Sequence, residues 1–150
     1  MEDKSELAYA KMKEFLSFYA ERYLKADGLS LDRQPIASLE ALEKKSMKLA
    51  ANGLRQAIND CVEMSLHFDH TEVEKLDSQL RNRGIVTLSE LRRQYSKSYA
   101  KIMRRGQIKS EIEYYLVRNV LYDPTKKAPE ERKLLEELIS NYEADRHGQG

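Results

Sequence analysis

The chain has one cysteine, Cys61, and six glycines that stand one at a time among 150 residues. A lone cysteine excludes a disulfide within the chain and fits a reducing, cytosolic setting. Its place inside an apolar face makes it a packed small hydrophobe rather than a reactive thiol. Scattered glycines exclude a Gly-rich phosphate loop, which needs several in one turn. No apolar run approaches the ~18 residues needed to span a bilayer, and the opening MEDKSELAYAKMKEF is too charged for a secretory signal. The expectation is a cytoplasmic protein that makes no use of a membrane.

Catalytic and metal motifs are also missing. Neither HExxH nor CxxC spacing occurs, and no nucleophile motif joins a serine or Cys61 to a histidine. The one segment with two histidines and acids is EMSLHFDH, so Glu63, His67, Asp69 and His70 are the candidates for a metal or acid–base site. His67 falls at the edge of an apolar face, however, and a histidine near a helix C-terminus is favoured by the helix dipole alone. The expectation is therefore no metal, no cofactor and no enzyme.

Strand alternation is almost absent, and helical punctuation takes its place. At 100° per residue, Ala8, Met12, Phe15, Leu16, Tyr19 and Tyr23 share one arc, which predicts a helix over about 5–25. Phe18 and Leu7 lie off that arc and are candidates for an apolar contact surface. The stretch DGLSLDRQP is a linker; as a calcium loop it fails, because Leu29 and Leu31 stand where oxygen ligands are needed. Leu39, Leu42, Leu49, Ala50, Gly53, Ala57, Cys61, Met64 and Phe68 hold a single face, which predicts one long helix over about 38–68. Gly53 with Ala50 and Ala57 makes a flat strip that admits a close neighbour.

Three capping boxes, Thr71-x-x-Glu74, Thr87-x-x-Glu90 and Ser110-x-x-Glu113, open helices at about 72–82, 88–105 and 111–122. Gly84 and Gly106 stop the first two. Pro129 opens a last helix over about 129–144. The segment IEYYLVRNVLY is apolar nearly all round, so 111–122 is the buried helix. The predicted fold is all-α, a single-domain six-helix bundle over 1–145 with a disordered tail at 146–150.

Formal net charge is only +1, but residues 81–110 carry nine Lys or Arg and one acid, Glu90. Such a block of one sign marks a candidate surface for an anion. In RRQYSKSYAKIMRRG the wheel puts Leu88, Leu91, Tyr95, Tyr99, Ile102 and Met103 on one side. Arg93, Lys97, Lys101 and Arg104 take the other, with Arg105 at its edge. The tyrosines therefore face the core and are not interleaved with the cations, unlike a base-stacking platform. A helix-turn-helix is disfavoured because Glu90 occupies the first turn of the would-be recognition helix. Arg92 falls on the apolar side and is a pocket candidate.

The function these features suggest is a non-catalytic binding module. Its basic face (Arg93, Lys97, Lys101, Arg104 and Arg105, flanked by Arg81, Arg83 and Lys109) would meet an acidic protein or a nucleic-acid backbone. The competing expectation is a structural stripe neutralised by the acidic last helix, with partners or a second copy of the chain met through apolar surface such as Phe18 and Leu7.

Overall fold

The computed structural model describes residues 4–24 and 35–148, with side chains described over 8–23 and 35–146. Among these residues all regular structure is helical. Helix α1 (Lys4–Tyr19) ends in a π-turn (Ala20–Leu24), and α2 (Pro35–Lys45) is followed by α3 (Met47–Met64) and a 3-10 turn (Ser65–His67). Then come α4 (His70–Asn82), α5 (Leu88–Tyr95), α6 (Lys97–Arg105), α7 (Glu111–Tyr122) and α8 (Pro129–Gly148). Most of the predicted linker lies outside the described residues, as do 149–150 of the predicted tail, while α8 runs on to Gly148.

Packing divides the chain into two compact units, Met1–Cys61 with Leu80–Val86, and Val62–Gln79 with Thr87–Gly150. The first buries Phe15, Leu16, Tyr19, Leu39, Ala50, Leu54, Ile58 and Leu80. In the second, Tyr99 and Ile102 of α6, Leu116, Val117 and Val120 of α7, and Leu135, Leu138 and Ile139 of α8 form one cluster. The predicted buried helix α7 does supply the middle of that cluster, although Ile112 and Tyr122 at its ends are exposed.

The described residues form eight α-helices rather than six, and both extra helices arise at a serine. The predicted 38–68 helix breaks at Ser46, whose Oγ accepts from the Leu49 N–H at 3.3 Å. Leu42 Cδ1 would stand 3.1 Å from a Cβ placed on Gly53. Eleven residues of straight helix would separate those positions by about 16 Å, so the chain folds back at Ser46 and Leu42 occupies the flat strip at Gly53. The predicted 88–105 helix breaks at Ser96, with φ −71° and ψ 123°, extended rather than helical. Ser96 N–H still closes α5 by donating to Arg92 O at 2.9 Å, while its Oγ caps α6 by accepting from Tyr99 N–H at 3.1 Å. Serine does this because its short hydroxyl competes for backbone donors.

The remaining punctuation is mostly as predicted. Gly84 and Gly106 have φ of 71° and 72°, the left-handed conformation that glycine adopts without a Cβ clash. At Gly84 the bonds Ile85 N–H to Leu80 O (2.9 Å) and Gly84 N–H to Arg81 O (3.0 Å) complete a Schellman stop. Thr87 and Ser110 cap α5 and α7 through their hydroxyls. Thr71 does not cap α4. Asp69 does, since its carboxylate accepts from Thr71 N–H at 2.9 Å and its carbonyl from Val73 N–H at 3.1 Å.

Candidate functional site

Helix α6 sorts its side chains as the sequence predicts. Tyr99 and Ile102 are buried and Met103 half-buried, whereas Lys97, Lys101 and Arg104 are exposed. These three cations stand at i, i+4 and i+7, one strip about 10 Å long. None of them makes an ion pair or hydrogen bond with any described residue.

The break at Ser96 separates Arg93 from that strip. Arg93 donates Nε and Nη2 to Glu90 at 2.9 and 2.7 Å, and Nη1 to Glu131 of α8 at 3.1 Å. The Glu90 hydrogen bonds, opposed by partial burial, hold its guanidinium above the ordinary arginine range. Glu131 also accepts the Tyr99 hydroxyl at 2.7 Å, and burial together with that bond lifts the phenol above its usual range. At the other end Arg105 donates to Gln107 O at 3.0 and 2.6 Å and to the Glu113 carboxylate. Glu113 in turn accepts the Lys109 N–H at 2.7 Å. Arg93 and Arg105 are therefore internal ties and not part of a free anion-binding face. The acidic last helix neutralises one of the predicted cations, and α7 neutralises another.

Of the flanking candidates, Lys109 is exposed in the same unit as α6. Arg81 and Arg83 belong to the first unit. Arg83 is exposed and stands 5.0 Å over the ring of Phe18, which is half-buried beneath it. That cation–π contact accounts for Phe18 without a partner, while the Leu7 side chain lies outside the described residues. Among the described residues the exposed large apolar side chains are Met47, Leu49, Met64, Ile112 and Tyr122.

The histidine segment does not assemble as a metal site. Among the described residues no three His, Cys, Asp or Glu side chains converge. Glu63 and His67 are exposed. The His70 ring lies flat on Tyr115, with centroids 4.0 Å apart and planes 8° apart, and it stands 3.8 Å from Asp69 and 4.0 Å from Glu74.

Arg92 is buried, only 3% exposed. Its Nε donates to Ser65 Oγ at 3.1 Å and its Nη2 to Ser65 O at 2.6 Å, while Ser65 Oγ donates onward to Val62 O at 2.6 Å. Burial lowers the guanidinium pKa to about 10, so it stays charged at neutral pH, with the attraction of Asp77 opposing that fall. Asp77 is itself buried and accepts both the Ser89 N–H (3.1 Å) and the Ser89 hydroxyl. Sequence reasoning missed this polar pair, although a signal was present: Asp77 sits at an apolar position of α4, with Val73 and Leu80 one turn to either side and Leu76 next to it. Arg92 also lines a cleft of about 370 Å³. Compared with known proteins, the chain matches no family model, no curated protein and no solved structure.

Proposed function

We propose that the chain is a non-catalytic binding module that docks an acidic protein segment on the α6 strip. The observation that carries this reading is that Lys97, Lys101 and Arg104 are exposed and unpaired, while the arginines on either side are consumed internally. A single strip of three charges about 10 Å long suits a short acidic helix or loop with matching i, i+4, i+7 spacing. It is a small footprint for a nucleic-acid backbone, since three phosphate contacts give a salt slope of only about −3.

The test is fluorescence anisotropy with a labelled Glu-rich peptide and with labelled duplex and single-stranded DNA and RNA, from low to moderate salt. It runs beside Lys97→Glu/Lys101→Glu/Arg104→Glu, whose helicity is checked by circular dichroism. Peptide binding that weakens with salt and is lost in the folded triple variant supports the proposal. Preferential binding of a nucleic acid, lost in the same variant, replaces the acidic protein with a phosphate backbone. Binding of neither, at low salt, leaves the strip a solubilising surface and overturns the reading.

A further inference from the structure

The cleft beside Arg92 is built differently from the α6 strip, because two of its polar side chains, Arg92 and Asn119, are buried. Its 370 Å³ lies within the roughly 300–1,000 Å³ of small-molecule sites. Two side chains that line it are more than nine-tenths buried and keep unused hydrogen-bonding capacity. Arg92 spends Nε and Nη2 on Ser65 and leaves Nη1 without a partner among the described residues. The Asn119 carboxamide, on α7, likewise takes no hydrogen bond from any described residue. A buried cation and an amide donor with free N–H groups match the two oxygens of a carboxylate.

The walls and mouth narrow the choice further. Val73 and Leu116 are buried and apolar, and the stacked His70–Tyr115 pair gives one flat side. At the mouth stand two exposed carboxylates, Asp69 and Glu111, the latter with no partner among the described residues. Those carboxylates would repel a simple anion and attract an ammonium group.

We propose that this cleft binds a small amine-bearing carboxylate of the amino-acid class, its carboxylate held by Arg92 and Asn119 and its ammonium directed toward Glu111 and Asp69. Selectivity among such ligands then comes from the apolar wall and the His70–Tyr115 face.

The experiment is calorimetric titration of the whole chain with a panel of free amino acids, each beside its carboxamide and its N-acetyl form, and with inorganic phosphate. At least one free amino acid should bind more tightly than about 1 mM. Its carboxamide should bind at least about tenfold more weakly, as expected on losing a hydrogen bond to a charged group. Asn119→Leu, close in volume, should weaken binding while circular dichroism stays native. Glu111→Lys, on the exposed rim and harmless to the core, should weaken the free amino acid and strengthen the N-acetyl form. Failure of the whole panel to bind, carboxamides as tight as acids, phosphate as tight as the best acid, or indifference to Glu111→Lys would each overturn the proposal.

Discussion

Replacing Asp77 by alanine takes an acceptor away from two buried donors and a counter-charge away from a buried arginine. The Ser89 N–H lies in the first turn of α5, where no carbonyl within the helix can receive it, and Asp77 is the group that does. An orphaned buried donor costs about 1–3 kcal/mol, and stranding a buried charge brings losses of this kind to about 3–5 kcal/mol. Arg92 makes no contact ion pair with Asp77, so their attraction is below the ~4 kcal/mol of charges ~4 Å apart at an effective dielectric near 20. Asp77→Ala should therefore destabilise the chain by about 3–5 kcal/mol, and by about 1–3 kcal/mol less when Arg92 is already methionine. Asp77→Asn keeps an acceptor for the Ser89 N–H but not the charge, so it should cost less than Asp77→Ala by the orphaned-donor part alone, about 1–3 kcal/mol. Urea unfolding followed by far-ultraviolet circular dichroism, on the four chains of the cycle, measures each value. Additivity within about 0.5 kcal/mol would refute the coupling. A pH dependence follows as well. Burial, opposed by the Ser89 hydrogen bonds, holds the Asp77 carboxyl above its ordinary 3.8. The native chain then binds this proton more readily than the unfolded chain, so the group lowers stability as pH rises from about 3.8 through its native value. Asp77→Asn should lack that slope.

Three further outcomes are expected. Ser96→Ala removes the α6 cap and should cost about 1 kcal/mol in urea unfolding; an unchanged midpoint would mean that the joint does not depend on the hydroxyl. In the first unit, Glu43 accepts from the Tyr9 hydroxyl and from Lys13 at 3.0–3.1 Å, and these bonds hold its carboxyl below the ordinary 4.5. That stability is present above about pH 4.5 and is lost as pH falls through the depressed native value, so Glu43→Gln should flatten the acid limb of a pH–stability curve. Cys61 is buried and its thiol is pushed up to about 12 by burial. Native chain at pH 8 should resist a thiol reagent that labels the urea-unfolded chain at once, and equal rates in the two states would contradict its burial.

Periodicity and caps made the helical class, the stops at Gly84 and Gly106, the caps at Thr87 and Ser110 and the inward face of Tyr99 and Ile102 legible in advance. All of these are local: a left-handed turn needs glycine, and an apolar face repeats every 3.6 residues. The two serine joints were not legible, because Leu49 and Ala50 after Ser46, like Tyr99 and Ile102 after Ser96, keep the apolar phase of the preceding turn. A hydrophobic wheel does not register one extended residue. What marked both sites was a serine directly after a turn rich in Lys or Arg (Lys44 and Lys45, then Arg92 and Arg93), the charge pattern of a helix end. Ties such as Arg93–Glu131 and Arg92–Ser65 were out of reach for another reason: they join residues 38 and 27 positions apart, and only the packed chain decides which acid meets which arginine. The Glu90–Arg93 pair, three residues apart on one helix, could be read directly.

The ties that flank α6 give added salt a selective action. Lys97, Lys101 and Arg104 are open to water, where ions screen charges more than about 10 Å apart at 0.1 M. The Arg93–Glu131 and Arg105–Glu113 pairs are in contact, with every partner less than a quarter exposed, and ions reach them poorly. Raising ionic strength should strip a bound anion from the strip long before it loosens the mounts on either side. An acidic segment docked there, as proposed, would leave without deforming the strip, which would meet the next such segment ready-shaped.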